Sequence, residues 1–317
     1  FMSTIWREFV RESRWAIYSP TALLLGVSSL LLAVWGATSG SSSVLNAIGN
    51  FDATLARYKE NGEDISGALT SPVTVEGDAG QQIITNSLRY DLDQVGLTLT
   101  QLAPTGAACA ILSLCVLIAF PIIGFALGVF MSTHDYQSGS IAIRWPQAGI
   151  RPFLVSKPAA VAASMLAIAI TVALLSVPSA LIAGAFIQGT VSEMSAFAAE
   201  SPSLDRVVAL IALSALSGTA AAAMGMLMGA LTRNRTFTIA IFSVGYLLLP
   251  LFGEYDPRNF LTLAGQNILY FPGLFRPEPL GNMSGTIAVI ALIAFSVVVL
   301  LLSAVPWMIR SRVARAG

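Results

Sequence analysis

Long stretches of this chain carry no charged side chain. They run over Trp15–Phe51, Gln94–His134, Pro158–Ser192, Val207–Thr232, Thr236–Gly253 and Pro279–Ile309, and each has at least 18 residues. A helix needs ~20 mostly apolar residues to cross the hydrocarbon core of a bilayer. Trimming the polar ends predicts spans over 16–38, 106–131, 160–187, 207–231, 236–252 and 286–308. A seventh uncharged stretch, Asn259–Phe275, is punctuated by Gly265, Gln266, Asn267 and Pro272. It predicts a re-entrant or interfacial segment, placed within 253–284, which is tolerated at membrane depth only where protein covers its backbone. The fold class expected is all-α, a polytopic membrane protein with six transmembrane helices.

The pattern changes in two places. In Met2–Arg14 the apolar Ile5, Trp6, Phe9 and Val10 alternate at helical spacing with Arg7, Glu8, Arg11, Glu12 and Arg14. This predicts an amphipathic helix lying along the membrane interface. In 40–104, Val44, Leu45, Ile48, Phe51, Leu55 and Tyr58 form one helical stripe, and Ile84, Leu88, Leu92, Val95 and Leu99 form another. Gly62 through Gly80, with Ser71-Pro72, reads as the loop of a helical hairpin. A pair this small is not stable alone, so it is expected to pack on a twin or on the outer ends of the spans. The chain thus divides into 1–38 (amphipathic helix and first span), 39–105 (extracellular hairpin) and 106–317 (the remaining spans, a cytoplasmic loop at 132–157 and the re-entrant segment).

Composition agrees with this division. Of 317 residues 55% are hydrophobic and 11% charged, against about 25% charged in soluble domains. Too little polar surface exists to face water all round. The net charge is zero, which argues against a nucleic-acid partner. The charges are nevertheless unevenly placed. With both termini and the 132–157 and 232–235 loops on one side, that side holds eleven basic residues and three acids; the other holds six and fourteen. A basic excess in short loops marks the cytoplasmic face. The expected location is a bacterial cytoplasmic membrane, crossed several times, with both termini inside. The first apolar stretch exceeds the 7–15 residues of a cleaved signal and reads as a signal anchor.

The spans also lack most chemistry. None of the trimmed spans contains Asp, Glu, Lys, Arg or His, and ion-coupled pumps and carriers need an ionisable group at depth. A proton-driven carrier is disfavoured, whereas a sodium site of carbonyls and hydroxyls stays open. Paired aspartates, a Ser–His couple and a metal-ligand cluster are all missing, so intramembrane proteolysis is excluded and no catalytic or metal-binding residue is expected. The lone His134 reads as structural. Cys109 and Cys115 lie six apart and suggest neither a disulfide framework nor a metal site. Gly124 and Gly128 in the second span, and Gly218, Ala222, Gly225 and Gly229 in the fourth, have the spacing of close helix contacts, most simply within the chain. Pro121, Pro178, Pro250 and Pro306 are expected to kink their spans.

The 132–157 loop is the most structured connection. An acid, Asp135, lies close to the membrane. Gly139-Ser140-Ile141 offers a hinge into a short apolar helix containing Ile143 and Arg144. Pro146 makes a turn, and Arg151 and Lys157 anchor the next span. Such a loop suits docking better than tethering.

On these residues the chain resembles the membrane subunits of ATP-binding-cassette exporters of the type-2 branch. That family shows an acid (more often Glu), a Gly-Ser/Thr-apolar step, a short helix, a Pro, a small residue plus Arg, and a Lys opening the third span. The resemblance extends to the six-span layout, the amphipathic N-terminal helix and the element before the last span; the large outer segment departs from compact members. It implies a coupling helix inserting into a cleft of a separate ATPase subunit, with Asp135, Gly139, Ile141, Ile143, Arg144, Arg151 and Lys157 making the coupling. It further implies two ATPase copies binding ATP and Mg, a second permease chain, identical or not, and surrounding lipid. No Gly-x-x-x-x-Gly-Lys-Ser/Thr phosphate loop occurs, so this chain would hold no cofactor and would not itself be an enzyme. ATP-driven closure would tilt spans two and five, switching the path from inward- to outward-facing. Along those spans Phe120, Phe125, Phe130, Phe242, Tyr246 and Phe252 are candidate walls for an amphipathic cargo: drug, antibiotic, peptide or lipid. Two other functions fit the same sequence: a non-transporting sensor or scaffold using the outer hairpin, and a sodium-coupled carrier.

Overall fold

The computed structural model describes residues 2–18, 20–76, 83–137, 150–248, 255–272, 281 and 283–316. The helices are α1 (Met2–Tyr18), α2 (Pro20–Asn61), α3 (Ile65–Thr70), α4 (Ser87–Leu99), α5 (Pro104–Leu117), α6 (Ala119–Gln137), α7 (Ile150–Val191), α8 (Leu204–Thr232), α9 (Arg235–Leu248), α10 (Pro257–Ala264) and α11 (Gly285–Ala316). Among the described residues the regular structure is all-helical apart from a two-residue antiparallel ladder, β1 (Val75–Glu76) against β2 (Ile83–Ile84).

Among the described residues three helices are long and apolar enough to cross a membrane: Val155–Val191 of α7, Leu204–Thr232, and Gly285–Ser303 of α11. A fourth is added if Ser87–Leu102 and Pro104–Leu117, bent by 95° at their junction, count as one. The chain is a helical membrane protein, and α11 shows why. Ala288, Leu292, Ser296, Val299 and Ser303 line its buried face at helical spacing, yet the opposite face carries Ile287, Ile290, Ile293, Val297, Val298, Leu301 and Leu302, all exposed. A helix apolar on both faces, with one face unpacked, is matched to hydrocarbon rather than water.

The interior is organised around α8, which packs on α5, α6, α7, α9, α10 and α11. The seam between α6 and α8 is the tightest. A Cβ built on Gly124 would lie 2.0 Å from Gly218 O, one on Gly128 2.1 Å from Ala222 O, and one on Gly225 2.1 Å from Phe125 O. The two small-residue stripes therefore face each other within one chain, backbone against backbone.

Three expected elements differ in detail. The predicted 106–131 span is two helices that meet at Ile118, whose φ of −124° and ψ of −61° leave the helical region. Pro121 is the cause: it has no N–H to bond the Leu117 carbonyl four residues back. The Gly62–Gly80 stretch is more than a loop, since it contains α3 and one strand of the ladder. Its carbonyls are taken by the start of α4: Asn86 Nδ2 donates to Ala68 O (2.6 Å) and Ser71 O (3.2 Å), and Arg89 Nη1 to Leu69 O (2.8 Å). The third predicted span starts ten residues early, at Ile150. Pro152 falls in its first turn, where a missing N–H costs nothing. The 42 residues of α7 reach about 63 Å, roughly twice the hydrocarbon core.

The paired helices of the 40–104 segment are present as the far half of α2 and α4. Val44, Ala47, Ile48 and Phe51 bury against Leu88, Leu92, Val95 and Leu99, and Ile187 and Val191 from the end of α7, with Met194 just beyond it, join them. Thr54 Oγ1 donates to Asp91 Oδ2 at 2.6 Å. The pair thus leans on the end of a long apolar helix. After α10 the chain turns through 265–268 and stays non-helical to Pro272. Its backbone is satisfied from three helices or their flanks: Arg206 donates to Ile268 O (2.8 Å) and Leu269 O (2.7 Å), Gln101 to Pro272 O (2.9 Å), and Ser113 Oγ accepts from Tyr270 N (2.8 Å). This is the covering that irregular backbone requires in a membrane protein. Residues 253, 254, 273–280 and 282 of the expected re-entrant segment lie outside the described residues, as does Pro250.

Candidate functional site

Two arrangements on α6 concentrate the molecule's polar and aromatic chemistry. The first is a clamp at the end of α6 that leads into the 138–149 stretch. Lys157 and Glu12 form an ion pair at 3.2 Å, with side chains only 2% and 1% exposed. The Lys157 ammonium also donates to Met131 O at 2.7 Å. One turn on, His134 stacks on Trp15, ring centroids 4.2 Å apart. From the other side Arg235 Nε donates to Thr133 Oγ1 at 2.7 Å, and its guanidinium lies 5.4 Å from the centre of the Phe130 ring. The last turns of α6 are thereby tied to α1, α7 and α9 at once. Removing one member of a buried pair leaves an uncompensated charge, at a cost of ~3–5 kcal/mol.

The second arrangement surrounds the break at Ile118. The carbonyls freed there are satisfied from other helices: Ser217 Oγ of α8 donates to Val116 O at 2.8 Å, and Tyr246 OH of α9 to Leu117 O at 2.7 Å. Phe125 stacks flat on Phe242 (3.7 Å, 1°), and Phe242 in turn meets Tyr246 (5.5 Å). Beside them a cavity of about 330 Å³ opens between α8, α9, α10 and α11. Arg258, on one wall, is bonded to Asp256 (2.6 Å) and to Tyr246 O (3.0 Å).

The sequence-derived candidates distribute as follows. Of the coupling set, Lys157 is in the clamp. Asp135 lies in the last turn of α6 and Arg151 in the first turn of α7. Gly139, Ile141, Ile143 and Arg144 lie outside the described residues. Of the six aromatic candidates, Phe125, Phe242 and Tyr246 come together. Phe120 belongs to the main core, Phe130 sits under Arg235, and Phe252 lies outside the described residues. Positions five apart on a helix point about 140° away from each other, which is why Phe120, Phe125 and Phe130 do not share a wall.

Sequence reasoning passed over Glu12, Trp15, Ser217 and Arg235. Glu12 had a legible signal. It shares one helix face with Ile5, Phe9 and Ala16, so it was the acid of the amphipathic helix that faced inward and required a cation. Trp6, expected on the apolar side, is 64% exposed instead. Among the described residues no group of His, Cys, Asp or Glu is placed to hold a metal ion. Comparison with known family models, curated proteins and solved structures gives no match.

Proposed function

We propose that this chain is the permease subunit of an ATP-driven exporter, energised by a separate ATPase docked on the 132–157 loop. In this reading α2, the α5–α6 pair, α7, α8, α9 and α11 make six crossings, with α1 along the inner interface and both termini inside. The observation that carries the proposal is the clamp. A docking loop is useful only if its ends are stiffly joined to what must move. Met131–His134 at one end and Lys157 at the other are tied to each other and to α1 and α9. A push on the loop then displaces α6 and α9 together, and the stacked Phe125, Phe242 and Tyr246 move with them. The basic excess on that face and the absence of any phosphate-binding loop from the chain agree with a nucleotide-hydrolysing partner.

The test is purification from native membranes together with any ATPase that accompanies the chain, followed by ATP turnover with and without candidate amphipathic compounds. The expected result is a complex whose turnover rises with cargo, and in which Arg144→Glu weakens capture of the ATPase or uncouples its turnover while the spans stay folded. Failure to recover any ATPase from the native host, or unaltered coupling in that variant, overturns the proposal.

One feature favours a second reading. Ser43, Asn46, Asn50, Tyr90, Asp91, Gln94 and Thr98 line a polar cavity of about 280 Å³ between α2 and α4. A sensor that takes a polar ligand there, beside a histidine kinase rather than an ATPase, would use the same helices without transport.

A further inference from the structure

The cavity beside the Ile118 break is too large and too dry to be incidental packing. Its volume of about 330 Å³ is roughly twice the ~150 Å³ of an engineered apolar cavity that stays dry and binds benzene. Natural ligand pockets begin near ~300 Å³. Its walls include Pro121, Ala221, Met224, Gly245, Leu292 and Phe295. The polar groups on its lining are already engaged: Ser217 with Val116 O, Tyr246 with Leu117 O, and Arg258 and Asp256 with each other. A polar guest would lose its water and gain little in return. Gly245 marks real space, since a Cβ there would meet no atom within 4 Å.

The surroundings identify the guest. Among the described residues α9 and α11 flank the cavity without sharing a packed seam. Their lining residues Ile241 and Phe295 are 55% and 36% exposed, continuous with the outward Ile290 and Ile293 of α11 and Val244 of α9. That surface is apolar throughout, which matches hydrocarbon. The material present at the highest concentration outside the opening is therefore the fatty tail of a phospholipid.

We propose that the space walled by Pro121, Met224, Gly245, Leu292 and Phe295 takes the hydrocarbon chain of a membrane lipid, entering sideways between α9 and α11. The site belongs to this chain alone and needs no ATPase, so it stands or falls apart from the exporter reading.

The experiment uses the full chain in phosphatidylcholine nanodiscs doped with phosphatidylcholine that carries a diazirine on its acyl tail. A second arm adds a diazirine-bearing free fatty acid from water to undoped discs. Light-induced adducts are mapped by peptide mass spectrometry. The expected result is labelling in the first arm concentrated on Met224, Tyr246 and Phe295. Gly245→Leu, which fills the space, should cut that labelling about tenfold, as when roughly two methylenes lose their burial. Gly26→Leu, at a glycine with equally open surroundings but outside the cavity, should leave it unchanged. If Gly245→Leu fails to fold, Ala221→Leu fills the same space from α8. Labelling that survives filling, or that is as dense on outward residues such as Leu181, Phe186 and Leu248, overturns the proposal. So does labelling of the walls in the fatty-acid arm alone, which assigns the cavity to a soluble amphiphile.

Discussion

The two faces of α6 are built on opposite terms. Toward α8 its glycines let backbone touch backbone, and a single added methyl group has nowhere to go. Toward α9 the contact is made by stacked rings and by Arg235 on Thr133 and Phe130, and a cavity lies alongside. Between helices in lipid there is no hydrophobic drive, so close packing carries most of the association. The α8 face is thus the fixed face. The α9 face is held by side chains alone, so its contacts can be removed one at a time without a backbone clash.

Substitutions sharpen this contrast in descending order of effect. Gly128→Leu should abolish folded protein altogether, because the obstacle is the Ala222 backbone and exceeds the ~1–3 kcal/mol of ordinary overpacking; size-exclusion profiles in detergent check it. Lys157→Met should destabilise by ~3–5 kcal/mol in thermal unfolding, and adding Glu12→Leu should restore most of the loss. Recovery by the double variant identifies the stranded carboxylate as the cause. Phe242→Ala should cost less, about 1–2 kcal/mol, because the ring is half-buried and its stacking adds only ~0.5–1.5 kcal/mol beyond burial. Tyr246→Phe should be the mildest, near ~0.6 kcal/mol, the average for a hydrogen bond between membrane helices. A loss on the α9 face as large as that on the α8 face would erase the distinction between them.

How much of this was legible in the sequence depends on how far each feature reaches along the chain. The pairing of α2 with α4 followed from two apolar stripes, because spacings of three and four fix a helix face locally. The facing stripes of Gly124–Gly128 and Gly218–Gly229 were visible as spacings, though not as partners. Pro121 was marked as a kink, yet the full break needed Ser217 and Tyr246 to accept its consequences, and they come from helices about a hundred residues away. Phe120 and Phe130 were grouped with Phe125 by residue type, whereas rotation about the helix axis separates them. The Glu12–Lys157 pair spans 145 positions; the inward position of Glu12 was readable, its cation was not.

Sequence by itself determined that the chain is helical, that its apolar stretches match hydrocarbon, and which end of each stretch carries basic charge. Those properties follow from local periodicity and from transfer of side chains out of water, and they need no knowledge of neighbours. Tertiary structure decided which small residues meet, where a freed carbonyl finds its donor, which buried acid finds its cation, and where space is left unfilled. Each of these is a relation between helices that lipid brings together with little directional preference, so only the packed arrangement selects it.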